Sequence, residues 1–354
     1  MSRHSLLPFA ALAALLLAHW GHSAAWSIAL GALMILPAVM TAVHHADVVA
    51  HRVGEPYGAL ILALAVTVIE AALIITLMLQ APPGGETHAT LTRDAIFATL
   101  MIVLNGVIGL SLLLGSLRHH TQGFRVEGAV PALSVLLALS TLTLVLPNFT
   151  VSTPDASYSK TQLAFDALVS LTLWSVFIFS QTVRHRADFL VEGKLQDAAP
   201  RPSPRAAIFS LILLLIALIA VVGLAESLAP SIEHAVTRFG LPQPVIGILI
   251  ALLVLLPETL TAIRAARNNR LQTSINLALG SGLASIGLTI PVVILTAVWL
   301  GLPLELGLDA KSITLLALSC LVATLTLVTG RSTIIQGAVH LVIFAAFLFL
   351  SIVP

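Results

Sequence analysis

The stretch LALAVTVIEAALIITL, residues 62–77, places one carboxylate, Glu70, in the middle of an apolar run. A second stretch, ILIALLVLLPETLTAI, residues 248–263, repeats the arrangement around Glu258. A charged side chain at the centre of a membrane helix costs about 2.5–3.5 kcal/mol on insertion scales. A matched pair of such costs favours a functional role over the alternative, a protonated glutamate that only holds two helices together.

The composition indicates an integral membrane protein. Hydrophobic residues make up 58% of the 354 residues and charged residues only 9%, whereas about a quarter of a soluble domain is charged. Eleven apolar segments are long enough to cross about 30 Å of hydrocarbon. They lie near residues 5–20, 24–43, 56–80, 92–117, 129–147, 161–183, 205–228, 243–265, 274–299, 311–329 and 332–352. The first segment also resembles a signal peptide, but a signal-anchor helix is the favoured interpretation.

The basic residues predict the orientation of these spans. If the eleven spans alternate, 13 of the 17 Lys and Arg residues fall on one side of the membrane and 4 on the other. Because basic residues concentrate in cytoplasmic loops, the N-terminus is expected in the cytoplasm. The same rule explains the basic runs, so no nucleic-acid partner is expected.

The two glutamates also predict an internal repeat. Each lies 14 residues after a proline that opens its helix, Pro56 or Pro244, and five spans separate the two. Because five is odd, the second unit must enter the membrane with the opposite orientation, as in many secondary transporters. We therefore expect an all-α membrane protein of about 11 helices. Its predicted parts are an N-terminal helix (1–22), a five-helix repeat (23–184), a cytoplasmic linker (185–204) and an inverted five-helix repeat (205–354).

A transported cation is the expected partner of the two carboxylates, because Lys and Arg occur only at the ends of the spans and none lies inside the membrane to neutralise them. Pro257 precedes Glu258 and predicts a helix kink that exposes backbone oxygens, which are ligands for hard cations. Polar side chains in neighbouring spans could complete the ion's shell. The candidates are Asn105 and Ser281, followed by Ser285 and Thr67.

Two other functions remain open. His44, Asp47 and His51 recur at i, i+3 and i+7, so they share a helix face and could hold zinc in a membrane enzyme. A passive channel is the other alternative, although channels commonly build their pore from a ring of subunits.

The chain resembles the calcium:cation antiporter superfamily, and in particular the bacterial ChaA-type branch of its calcium/proton exchangers. Asp47, Gly58 and Glu70 match the first repeat of that family, and Glu258, the LGS element at Gly280 and Ser281, and Pro291 match the second. The chain departs from the family pattern before each glutamate, where Val66, Thr67, Val254 and Leu255 stand in place of glycine and asparagine, and again at Ala284, where many members have glutamine.

The resemblance implies a ten-helix inverted-repeat core, preceded by one extra helix, that exchanges cytoplasmic cations for protons, with Asp47 as a possible gate. Ca²⁺ is the expected cation, with Na⁺ and K⁺ handled more weakly, and a Na⁺(K⁺)/H⁺ antiporter with little calcium activity is the alternative. The bacterial branch also implies that the protein lies in the inner membrane. No resident cofactor and no enzymatic reaction are expected, the lipid bilayer is the expected surrounding, and the oligomeric state is left open. The predicted mechanism is alternating access around a midplane site in which cation and proton exclude each other.

Overall fold

A computed structural model describes residues 3–21, 25–54, 57–79, 89–153, 156–189 and 202–353 of the chain. This described part is helical and contains no strand, only one isolated bridge between Gly123 and Arg331. We number its long helices α1 to α11. They are α1 (Arg3–Gly21), α2 (Ala25–Val53), α3 (Tyr57–Leu79), α4 (Leu91–His119), α5 (Val126–Phe149), α6 (Lys160–Arg184), α7 (Pro204–Arg238), α8 (Pro244–Arg267), α9 (Leu271–Leu300), α10 (Ala310–Leu327) and α11 (Ile334–Ile352).

The helices agree with the predicted spans. Within the described residues, nine of them are long and apolar enough to cross a membrane, and the two others contain the shorter apolar segments Leu6–Ala18 and Leu64–Leu79. Two helices run past the predicted ends of their spans: α2 continues through the polar segment around Asp47, and α7 continues to Arg238. The chain is a multi-pass α-helical membrane protein. Helices suit this setting because each satisfies its own backbone hydrogen bonds.

Local sequence signals fix several helix ends. Ser159 and Gln162 form a capping box at the start of α6, and the Asp309 side chain accepts a hydrogen bond from the Ser312 amide at the start of α10. At α11 the Thr333 hydroxyl accepts from the Gln336 amide. Each cap satisfies backbone N–H groups that a helix N-terminus leaves free, so these helices begin at defined residues.

Wider helical turns interrupt four of the spans. The backbone is π-helical at Ile102–Val107 in α4 and at Ser285–Thr289 in α9, and again at Thr141–Val145 in α5 and Ser180–Arg184 in α6. A π-helical turn adds a residue to the turn, re-aims the following side chains and is frequent at functional sites. α4 and α9 are the helices that follow the two glutamate helices, and both carry such a turn.

The first compact unit consists of α1, α2, α3 and α7. α2 lies against α7 along much of its length, where Gly31 lets the Leu228 side chain approach and the His45 ring lies 3.3 Å from the Ser210 hydroxyl. α1 also packs closely on α7, because a methyl group at Gly223 of α7 would lie 2.6 Å from the Leu15 side chain of α1. Small residues therefore set the close helix spacing of this unit, as is usual between membrane helices.

The second unit is built around α4 and contains α5, α6 and α8–α11. α4 is almost wholly buried, and two glycines allow its neighbours to reach its backbone. A methyl group at Gly247 of α8 would lie 2.7 Å from the Ala95 nitrogen, and one at Gly337 of α11 would lie 2.5 Å from the Leu113 nitrogen.

Each compact unit combines helices from both predicted repeats. The boundaries 1–22, 23–184, 185–204 and 205–354 describe repeats along the chain and stay a prediction. Residues 190–201 of the predicted linker, like Pro56 and Glu55, lie outside the described residues.

Candidate functional site

Glu70 lies in the interior of α3, in the first unit. Its side chain is 2% exposed, and Thr67, one turn earlier on the same helix face, is 4% exposed. Within the described part of the chain, the Thr67 hydroxyl oxygen has no hydrogen-bond partner. α3 therefore presents a buried carboxylate beside a buried hydroxyl, a pair of oxygen ligands that a hard cation prefers.

Glu258 lies on α8, in the second unit. The residue is partly exposed while its Oε2 atom is buried. α8 begins at Pro244, as predicted, and continues through Pro257 to Arg267. Pro257 has no amide hydrogen to donate to the Leu253 carbonyl, and its own carbonyl accepts a hydrogen bond of 2.9 Å from the Thr261 hydroxyl. The helix does not end at Pro257, and the predicted kink stays a prediction.

The LGS element lies on α9, which packs against α8. The Ser281 hydroxyl oxygen is buried and has no hydrogen-bond partner among the described residues, and Ser285 is 3% exposed at the start of the π-helical turn. A methyl group at Gly280 would meet no atom within 4 Å in the described structure, whereas one at Gly287 would lie 2.7 Å from the Trp174 Cβ atom. Close packing thus explains Gly287 and leaves Gly280 unexplained.

Asn105 is fully buried in the π-helical turn of α4, and its amide joins three helices. Its Nδ2 donates to the Ser319 hydroxyl of α10 at 2.8 Å, and its Oδ1 lies 3.2 Å from the His340 Nδ1 of α11. The Asn105 Oδ1 is an acceptor, so the neutral imidazole must donate from Nδ1, and its Nε2 accepts from the Thr326 hydroxyl at 3.1 Å. His340 therefore links α11 to α4 and α10 through these hydrogen bonds.

This network changes what Asn105 can contribute to a cation site. One lone pair of its Oδ1 accepts the His340 proton, so only the second lone pair could bind an ion. Asn105 is therefore a weaker ligand candidate than Ser281, although both lie in the second unit with Glu258 and Ser285. Thr67 and Glu70 lie in the first unit, and the sharing of one ion by the two glutamates stays a prediction.

The zinc-enzyme alternative finds no support. The segment with His44, Asp47 and His51 is part of the continuous helix α2, and Asp47 is exposed. Among the residues the structure describes, no group of three or more His, Cys, Asp or Glu side chains is arranged to hold a metal ion. A shared helix face does not by itself make a zinc site, because residues at i and i+7 lie two turns, about 10 Å, apart along the helix.

A further buried carboxylate, Asp166, was not predicted from the sequence. It lies within the predicted span 161–183, so the rule that singled out Glu70 and Glu258 also applies to it. The side chain is 3% exposed, and its Oδ1 accepts a hydrogen bond of 3.0 Å from the Thr143 hydroxyl.

A second missed group lies at the start of α4. The Arg93 guanidinium contacts the Asp94 carboxylate at 3.0 Å, donates to the Gly307 carbonyl at 2.9 Å and approaches Glu305 at 4.0 Å. These contacts tie α4 to the segment before α10 within the second unit.

Comparison with known proteins places these features in a family. The chain is 50% identical to the y4hA protein of Sinorhizobium fredii over 91% of this chain and 87% of that protein. It is 37% identical to the sodium-potassium/proton antiporter ChaA of Escherichia coli over 98% of this chain and 95% of that protein. The solved structure of native YfkE has the same fold, with a TM-score of 0.75 at 18% identity over 99% of this chain and 100% of YfkE.

The family model described as sodium/calcium exchanger protein matches residues 23–183 and 209–353, which include both glutamate helices and most of the chain. The predicted resemblance to the ChaA-type exchangers and the all-α membrane fold are confirmed. This is a family of transporters and not of enzymes. The chain belongs to the sodium/calcium exchanger protein family.

Proposed function

We propose that this protein is a secondary active antiporter that exports Ca²⁺ from the cytoplasm in exchange for H⁺, and that handles Na⁺ and K⁺ more weakly. The observation that carries this proposal is the matched pair of intramembrane glutamates. Each glutamate lies on the second helix of its predicted repeat. Two carboxylates neutralise one divalent cation without residual charge, and Ca²⁺ accepts six to eight oxygens in flexible geometry.

The proposed ligands are the Glu70 and Glu258 carboxylates, with hydroxyls from Thr67, Ser281 and Ser285. Two of these hydroxyls, Thr67 and Ser281, are buried without a described hydrogen-bond partner, which supports a role in binding an ion. Backbone carbonyls near Pro257 would add further oxygens, while Asn105 contributes mainly by holding α4 against α10 and α11. In this proposal, Asp47 on α2 gates the path to the site.

Coupling follows from the cost of leaving charge in a dry site. Two ionised and unpaired glutamates would be unfavourable, so the site holds either a cation or protons. Protons that arrive from the external side neutralise the carboxyls and release the cation, and alternating access then returns the protonated site to the cytoplasm. The orientation with a cytoplasmic N-terminus in the bacterial inner membrane, drawn from the basic loops, belongs to the same proposal.

A second candidate is a Na⁺(K⁺)/H⁺ antiporter with little calcium activity. It is favoured by the similarity to a protein named as a sodium-potassium/proton antiporter, whereas YfkE, of the same fold, is named as a Ca²⁺/H⁺ antiporter. Residues 66 and 67 before Glu70 also provide fewer oxygen ligands than the family pattern.

The test is proton flux in proteoliposomes that contain the full chain, challenged in turn with calcium, sodium and potassium. Glu70→Gln and Glu258→Gln should each abolish cation-driven proton movement, because glutamine keeps the shape of the side chain and cannot titrate. Glu127→Gln is the matched control, because it removes an exposed carboxylate at the start of α5 and should leave exchange unchanged. Robust exchange by either of the first two variants would contradict the shared site.

A further inference from the structure

A buried polar cluster lies between α5 and α6 of the second unit, on helices that carry neither glutamate. It consists of Thr143, Asp166 and Ser170, whose side chains are 0%, 3% and 0% exposed. The π-helical turn Thr141–Val145 directs the Thr143 hydroxyl to the Asp166 Oδ1. Asp166 lies six residues after the first residue of α6, about 9 Å along the helix, and is therefore inside the span.

The Asp166 carboxyl has one satisfied oxygen and one that is not. Among the described residues, its Oδ2 has no hydrogen-bond partner, and the same holds for the Ser170 hydroxyl. Ser170 follows Asp166 by one helical turn on the same buried stripe of α6, so the two groups are neighbours. The two atoms are not hydrogen-bonded to each other, so the Ser170 hydroxyl does not stabilise a negative charge on Oδ2.

The described charged groups around the cluster lie at the helix ends. The titratable residues on α6, on the elements that pack against it and in the described part of the loop before it are Lys160, Arg184, His185, Arg186, Asp188, Glu127 and Tyr158, while α9 has none. Lys160 is exposed, and Arg184, Arg186 and Asp188 follow at the far end of α6. Glu127 lies 16 residues before Thr143, about 24 Å along α5. Asp166 makes no ion pair with any described residue.

Tyr158 closes the end of the cluster that leads to the loop. Its hydroxyl donates to the Leu142 carbonyl at 2.6 Å, and the Leu308 amide donates to the Leu144 carbonyl at 2.9 Å. Burial raises the pKa of Tyr158 to about 12, so the phenol keeps its proton. Each of the two carbonyls beside Thr143 thus already accepts one hydrogen bond.

We propose that Thr143 and Asp166 form a proton-binding site: at neutral pH the Asp166 carboxyl, buried without a counter-ion among the described residues, carries a proton on Oδ2. The carbonyl oxygen Oδ1 accepts the Thr143 hydroxyl proton. Loss of the Asp166 proton would leave an unpaired charge among α5, α6 and α9, which a packed interior strongly disfavours. This site is separate from the two glutamates and does not depend on the proposed antiport.

Infrared spectroscopy of the full-length reconstituted protein at neutral pH tests the proposal. Asp166→Asn should remove one protonated-carboxyl C=O band, whereas the control Glu127→Gln should leave that band unchanged. Thr143→Val should move the same band to higher wavenumber, because the Asp166 C=O loses the Thr143 donor.

Stability gives a second measurement that does not depend on the spectrum. A folded carboxyl that keeps its proton after the unfolded chain has lost it makes the protein less stable as the pH rises. Asp166→Asn imitates the protonated form. The variant should therefore lose less stability than the wild type when the pH is raised from mildly acidic to neutral.

Two results would overturn the proposal. The first is an infrared band that is the same in wild type and Asp166→Asn, together with an unshifted band in Thr143→Val. The second is a band that is absent at neutral pH and appears only when sodium or potassium is removed, because the site would then hold a cation instead of a proton.

Discussion

At the scale of single residues, the glycines of α9 separate packing from another role. Gly287 faces the Trp174 side chain at a distance that leaves no room for a methyl group, and Gly282 lies against Leu136. Gly280, beside the Ser281 hydroxyl, faces open space within the described structure. Gly282 and Gly287 thus allow a neighbouring side chain to pack closely, whereas Gly280 does not.

Alanine should therefore reduce stability at position 287 and exchange activity at position 280. Gly287→Ala should lower stability by about 1–3 kcal/mol, because its Cβ atom would force the Trp174 side chain to move. Gly280→Ala should leave the unfolding temperature in detergent unchanged but reduce the rate of cation exchange, if the space beside Ser281 is needed by the ion. Equal thermal stability of the two variants would contradict this interpretation of the packing.

At the scale of helices, one polar network holds three of them. Asn105, Ser319, Thr326 and His340 satisfy one another in a consistent direction, with the Ser319 hydroxyl donating onward to the Leu315 carbonyl at 2.7 Å. Buried polar groups are costly unless they are paired, so such a network fixes the relative positions of α4, α10 and α11. The π-helical turn is what brings Asn105 into it.

Asn105→Ala should destabilise the protein by about 1–3 kcal/mol, because the His340 N–H and the Ser319 hydroxyl would each lose a partner. The measurement is thermal unfolding of the purified protein in detergent. Thr314→Val is the matched control: among the described residues, the exposed Thr314 side chain of α10 bonds only to the Ala310 carbonyl of its own helix, so its loss should have little effect. An Asn105→Ala variant that is as stable as this control but does not transport would instead favour a direct role in ion binding.

At the scale of the whole molecule, the expected behaviour is set by charge balance at the proposed two-glutamate site. A divalent cation is neutralised by two carboxylates, while a monovalent cation leaves a negative charge that one retained proton would relieve. The two kinds of ion should therefore bind with different pH dependence. Both should compete for the same carboxylates.

Calcium-driven proton release should strengthen toward alkaline pH, because deprotonation frees both carboxyls for the ion. Added calcium should also suppress sodium-driven proton movement in proteoliposomes, and Glu258→Gln should remove both activities. Sodium exchange that continues at full rate in saturating calcium would show that the preference for a divalent ion is wrong, and would favour the second candidate function.

The sequence by itself determined the class of the protein and its spans, and it singled out the two carboxylates that are proposed to bind the cation. Apolar length and the cost of burying charge are properties of a segment and its solvent, so they can be judged before any helix is placed. Likewise Pro244 and the capping residues at Ser159 and Thr333 mark helix starts through local chemistry alone.

Only the tertiary structure decided what the remaining polar residues contact. Asn105 and Ser281 are equally plausible ligands in the sequence, yet one is held by His340 and Ser319 while the other has no described partner. Asp166 became a candidate only when Thr143 and Ser170 were found buried with it. These outcomes depend on π-helical turns and on contacts between residues far apart in the chain, and no local pattern encodes which distant side chain will lie opposite.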